Sequence, residues 1–290
     1  MANELLVFEV AYVADNDQSP PTRAALRQAL AALEFLQLSP RTGVHRYRNP
    51  ETQVWGDFVE YEPDGDLVGL SFEMELPRPL FFALECVPLI VQVARELNLQ
   101  VEILSPDNEA GVIIPTFETL LDEWQKANRD EVGLMESQGS ARARLANQAL
   151  ESMWEFLLLR SELGRRYGRS RIDVPTLELY RHRREGWVAR VARWDFNSAV
   201  ALGECDYILL SGAPKPLLDR HLIAFSALRE VAKFAFRDLS QPVYHRLFEK
   251  PKTFAELREA VEGLSSLSLD EFEPLPFQQV VDADLTPLMN

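Results

Sequence analysis

Glu73 and Glu75 lie two positions apart in a segment where apolar and polar residues alternate. In a strand, that spacing puts both carboxylates side by side on one face. With Asp57 opposite them across a sheet, they could hold Mg²⁺ or exchange protons as a general acid and base. The same residues also suit the ordinary wet face of a half-buried sheet. A third chemistry fits better. Asp57, Glu73 and Glu75 interleave with Trp55, Phe58 and Tyr61, the mixture of charge and aromatic area that a face for a basic protein partner requires.

A second set is cationic. Arg165, Arg166, Arg169 and Arg171, followed by Arg181, Arg183 and Arg184, could grip phosphate, with Tyr180 and Trp187 as stacking surfaces for a base. Against this, the arginines serve equally as solvated charges or as partners for the protein's own acids. The four histidines offer little: His245 and Glu249 stand four apart in what reads as a helix, short of a complete metal site, and His182 sits among arginines. The loop Ser211-Gly212-Ala213-Pro214 has one glycine, and its prolines remove amide donors from any anion cradle. Nucleotide-binding glycine loops, C-x-x-C, H-E-x-x-H and G-x-S-x-G are all missing, so no cofactor, metal or catalytic residue is expected. Cys86 and Cys205, the only two cysteines, sit among apolar neighbours and read as small buried hydrophobes.

The elements that must position these residues can be read from periodicity. Glu4 to Val13 is a strand. Thr22 is the expected N-cap of a helix carrying Leu26, Leu30, Leu33 and Leu36 on one face, ended by Pro40. Three strands follow, 44–48, 54–61 and 67–76, with turn signatures at 49–52 and 63–66 between them. A long apolar helix over 79–97 should kink or divide at Pro88, and a strand at 101–104 comes next. The order β-α-β-β-β-α-β resembles the split βαβ arrangement of ferredoxin-like folds with one extra strand in the middle. After a connector at 105–115 and a helix at 116–129, the break at 133–139 marks the expected domain boundary.

The C-terminal part opens with a helix over 141–166, then a hairpin of 176–181 and 187–194 and a buried strand at 206–210. Helices are expected at 216–236, 243–248 and 254–264, and a short strand at 277–281 in the acidic tail. The fold class is therefore α+β: a ferredoxin-like-type sheet with two helices in an acidic domain, 1–136, followed by a mixed, mainly helical domain, 137–290.

Charge divides along the same line. Residues 1–136 hold 24 Asp/Glu against 9 Lys/Arg, residues 137–260 hold 15 against 21, and the last thirty hold 6 acids and no base. The net charge of −15 disfavours nucleic acid and anionic membrane, and the concentrated negative field attracts cationic partners. No apolar stretch is long enough to span a bilayer and the N-terminus lacks a basic leader region, so a cytoplasmic protein is expected. The functional expectation is an acidic protein that binds a basic partner, of the kind exemplified by an immunity (antitoxin-like) protein neutralising a nuclease toxin. The alternative is an enzyme acting on a nucleotide or nucleic acid, with the Arg165–Arg184 segment on phosphate and the carboxylates on metal.

Overall fold

A computed structural model describes residues 7–14, 21–39, 41–61, 69–104, 111–140, 142–168, 171–212, 220–233, 235–249, 259 and 261–284. The content is mixed α and β, and the chain divides into two compact units, Met1–Arg142 with Asp284–Asn290 and Ala143–Ala283.

The first unit contains β1 (Val7–Val13), α1 (Arg23–Ala31), β2 (Leu36–Gln37), β3 (Val44–Arg48), β4 (Trp55–Tyr61), β5 (Gly69–Glu75), α2 (Leu80–Leu97), β6 (Gln100–Leu104), β7 (Val112–Ile113) and α3 (Phe117–Ser137). Its strands form one antiparallel sheet in the order β2-β3-β4-β5-β1-β6-β7. The run β6-β1-β5-β4 has the split βαβ order. The additional strand of the middle segment, β3, does not interrupt it but extends the sheet outward beside β4.

Alternation decides which residues enter the core. Phe8, Val10 and Tyr12 of β1, Leu70, Phe72 and Met74 of β5, and Phe58 of β4 share the buried face. They meet Leu26 and Leu30 of α1 and Phe82, Cys86, Val87, Ile90 and Val93 of α2. Tyr12 Oη donates to the Ile90 carbonyl at 3.3 Å. Thr22 caps α1, its Oγ1 accepting from the Ala25 amide at 3.3 Å.

Three expectations for this unit change. Leu36 leaves the helical face and pairs with Tyr47 in β2, because the chain reverses at Phe35, whose φ is 61°. Pro88 sits on the exposed side of α2 and does not divide it. Helix α3 continues past Arg129 and through Gly133, because Asn128, Glu131 and Val132 extend the buried stripe begun by Leu120 and Trp124. The turn at 63–66 lies outside the described residues.

The second unit contains β8 (Ala143–Leu145), α4 (Asn147–Tyr167), β9 (Ile172–Asp173), β10 (Leu177–His182), β11 (Val188–Asp195), β12 (Ala199–Leu202), β13 (Tyr207–Ser211), β14 (His221–Ala224), α5 (Phe225–Val231), β15 (Phe236–Leu239), β16 (His245–Phe248), β17 (Ser266–Ser268), β18 (Phe272–Leu275) and β19 (Val280–Asp282). Sheets β17-β14-β13-β11-β10-β18 and β15-β16-β12-β9 carry most of it, with a parallel pair β19-β8.

The hairpin β10–β11 and strand β13 stand where periodicity placed them. The mainly helical expectation is overturned, since strand exceeds helix among the described residues here. Residues 243–248 form no helix: His245–Phe248 are buried at every position and pair with β12 and β15. Leu222 likewise pairs with Leu209 inside a sheet, and among the described residues of the expected 216–236 helix only Phe225–Val231 is helical. Short apolar runs have no period that separates a buried strand from a buried helix, and here sheet pairing decided. The helix expected over 141–166 starts only at Asn147, because Ala143–Leu145 pair with β19. Most of 254–264 lies outside the described residues. Among the described residues, no helix is long and apolar enough to cross a membrane.

Candidate partner-binding face

The face of the first unit's sheet turned away from α1 and α2 carries the carboxylates. Strand register places Asp57 opposite Glu73 and Glu73 opposite Glu9, so three acids of β4, β5 and β1 form one row at the spacing of neighbouring strands, about 4.8 Å. Leu104 of β6 continues the row beyond Glu9. Glu9 escapes sequence reasoning because nothing local says that β1 enters beside β5. Its place in the alternation Val7, Glu9, Ala11 was the available signal.

The members differ in what already holds them. Asp57 accepts two hydrogen bonds from Arg46, at 2.8 and 2.7 Å, a bidentate pair. Glu75 pairs with the buried Arg78. Arg78 lies 5.6 Å over Trp55 and 5.8 Å over Phe82, and Arg46 lies 5.9 Å over Trp55. Asn128 fixes the Arg78 backbone from both sides, at 2.8 and 2.9 Å. Neither Glu9 nor Glu73 has a cation within ion-pair distance among the described residues. Burial, and then the charges of Glu9 and Asp57, push the Glu73 carboxyl up, against a hydrogen bond involving Ser71.

The aromatic members divide. Tyr61 stays exposed and lays its ring over Gly69, where an added Cβ would stand 2.3 Å from it. Burial, then the charges of Glu9 and Glu102, raise its phenol. Trp55 is half-buried against the two guanidinium groups. Phe58 does not belong to the face. It points to the opposite side, fully buried with its ring 4.9 Å from that of Phe72, since its position in β4 has the other parity from Asp57.

Two hydrogen-bond networks hold this sheet on its helices. Glu85 of α2 accepts from Tyr47 Oη, Asn49 Nδ2 and Thr52 Oγ1 at 2.7, 2.8 and 3.0 Å, pinning the turn between β3 and β4. Glu60 lies within hydrogen-bond or ion-pair reach of His45 at 2.8 Å and of Arg27 and Arg23 at 3.3 Å each. Burial would raise the Glu60 carboxyl, but the hydrogen bonds from His45 and Arg27 prevail and hold it below the ordinary value. Its contribution to stability is therefore full above the unfolded-state pKa of about 4.3 and is lost as pH falls through the lower folded value. Urea unfolding from pH 7 to pH 3 should show this loss in the wild type and a smaller loss in Glu60→Gln. Parallel curves would refute it.

The cationic set lies in the second unit. Arg181 and Arg183 both pair with Glu273 of β18, and Arg183 Nε also donates to the Phe272 carbonyl at 3.0 Å. Arg165 and Arg166 end α4, where Arg166 donates to the Gln241 carbonyl at 3.2 Å. Arg171 and Arg184 are exposed, and Arg169 lies outside the described residues.

His245 and His221 are in strands, which corrects the helical reading. His245 is fully buried, one ring nitrogen at 2.8 Å from Tyr167 Oη and the other at 2.7 Å from the Val243 carbonyl, so neither is directed at Glu249. Among the described residues, no group of three His, Cys, Asp or Glu is gathered to hold a metal ion. Cys86 and Cys205 are buried free thiols. Gly212 closes its turn at a φ of 66° against Asn197, and Ala213-Pro214 lie outside the described residues. Comparison with protein-family models, curated proteins and solved structures finds no match to this chain.

Proposed function

We propose that this protein binds a basic protein partner through the acidic sheet face of its N-terminal unit, with Glu73 and Glu9 at the centre. One observation carries the reading. Three carboxylates stand in adjacent register, and the central one is held above its ordinary pKa by burial and by its acidic neighbours. Like charges opposite one another destabilise a sheet, and a cation brought by a partner would relieve that repulsion. The acidic field would also speed capture of a cationic target, as neutralisation of a nuclease toxin by an immunity (antitoxin-like) protein requires. The reading that puts the arginines on phosphate has less behind it, since Arg181 and Arg183 direct their donors at Glu273 and Phe272.

The sign of the Glu73 effect makes the proposal testable. A raised folded-state pKa means no penalty below the unfolded-state value and a growing one as pH rises through the folded value. Glu73→Gln should therefore stabilise the protein at pH 7, by about 0.5 kcal/mol once solvent screening is allowed for, and leave stability at pH 3 unchanged. The same substitution should weaken capture of protein partners from the source cell in low salt. Stabilisation without any loss of binding would remove this face from the interface.

A further inference from the structure

The acidic row runs directly into exposed apolar surface. Glu9 is the register partner of Leu104, and Glu102 that of Val112, so carboxylate and hydrocarbon alternate across neighbouring strands. Leu104 and Val112 are 40% and 47% exposed, and Ile114, two residues further on, is 76% exposed, the most of any large hydrophobic among the described residues. Tyr61 adds an exposed ring close to Glu9 and Glu102. Strand β7, at the edge of the sheet, is two residues long.

Resting on the reading above, we infer that the partner presents an amphipathic basic segment, in which Arg or Lys alternates with apolar residues. Its cations lie against Glu9 and Glu73, and its apolar side chains on Leu104 and Val112. Charge complementarity selects this occupant. Glu9, Glu73 and Glu102 stand in two neighbouring rows of this face, and none of them has a cation within ion-pair distance among the described residues. A second copy docking by the same face would set glutamates against glutamates. A wholly hydrophilic basic tail would satisfy the acids and leave the hydrocarbon wet.

The test uses the full chain and two labelled probes, a short alternating Arg–Val peptide and its Arg–Ser counterpart, with fluorescence anisotropy at low salt. The Arg–Val peptide should bind at least about tenfold more tightly, the gain from covering one or two aliphatic side chains. Leu104→Ser with Val112→Ser, both exposed positions, should abolish that difference, while Glu9→Gln with Glu73→Gln should weaken both peptides. Equal affinity for the two peptides, or a preference that survives the serine substitutions, overturns the amphipathic inference and leaves a basic partner standing. Failure of both peptides to bind, or binding indifferent to the glutamine substitutions, overturns the underlying reading as well. Self-association of the wild type that the serine substitutions abolish would assign the surface to a second copy instead.

Discussion

Replacing Glu85 with alanine should destabilise the protein by about 4 kcal/mol, because it strands several buried donors at once. Tyr47, Asn49 and Thr52 all direct side-chain hydrogen bonds at the same carboxylate oxygen, and all three residues, like Glu85, are buried. Burial, and then the adjacent carboxylate, hold the Tyr47 phenol far above its ordinary pKa, so it stays a donor at any practical pH. Each donor left without an acceptor costs roughly 1–3 kcal/mol. A loss of that size is a large part of the total stability of an ordinary domain, about 5–15 kcal/mol. Glu85→Gln keeps a carbonyl acceptor in place and should cost much less. Urea midpoints for the two variants provide the comparison, and a loss below about 1 kcal/mol for the alanine variant would contradict the argument. The same change tests the proposed binding face. The turn held by Glu85 leads directly into Trp55 and Asp57, so the alanine variant should also bind basic probes more weakly while still folded.

In the second unit, Trp194→Ala should cost about 3–5 kcal/mol, the range for removing a fully buried large aromatic side chain. Trp194 is 0% exposed, with its ring centroid 5.6, 6.1 and 5.0 Å from those of Phe196, Phe236 and Phe248. Its indole N–H also donates to the Ser198 carbonyl at 2.9 Å, closing the turn that joins β11 to β12. The substitution thus opens a cavity between strands of two sheets and leaves that carbonyl without its donor. Trp194→Phe retains most of the ring contacts and should cost well under half as much. Denaturation followed by circular dichroism reads both, and an alanine variant within about 1.5 kcal/mol of the wild type would show that the cluster collapses onto the space.

Local pattern carried much of this fold. The alternation of Leu70, Phe72 and Met74 with Ser71, Glu73 and Glu75 placed β5 and its buried side, and Thr22 announced the start of α1. The hairpin β10–β11 was legible from the strand-like runs 176–181 and 187–194. Such features depend on residues a few positions apart, and the backbone geometry of a strand or a helix turns that spacing directly into a face.

The candidate site needed more. By itself, the sequence determined that the N-terminal part is strongly acidic and that Glu73 and Glu75 share a face. Only the tertiary structure decided that Glu9, more than sixty positions away, stands beside Glu73. It also decided that Asp57 and Glu75 are matched by Arg46 and Arg78, that Phe58 belongs to the core, and that Leu104 continues the acidic row. Likewise, Arg181 and Arg183 met Glu273 only because β18 pairs with β10. The reason is common to all of these. Strand order and register are set by which distant hydrophobic faces close over one core, and a short-range period contains no information about a neighbour supplied from far along the chain.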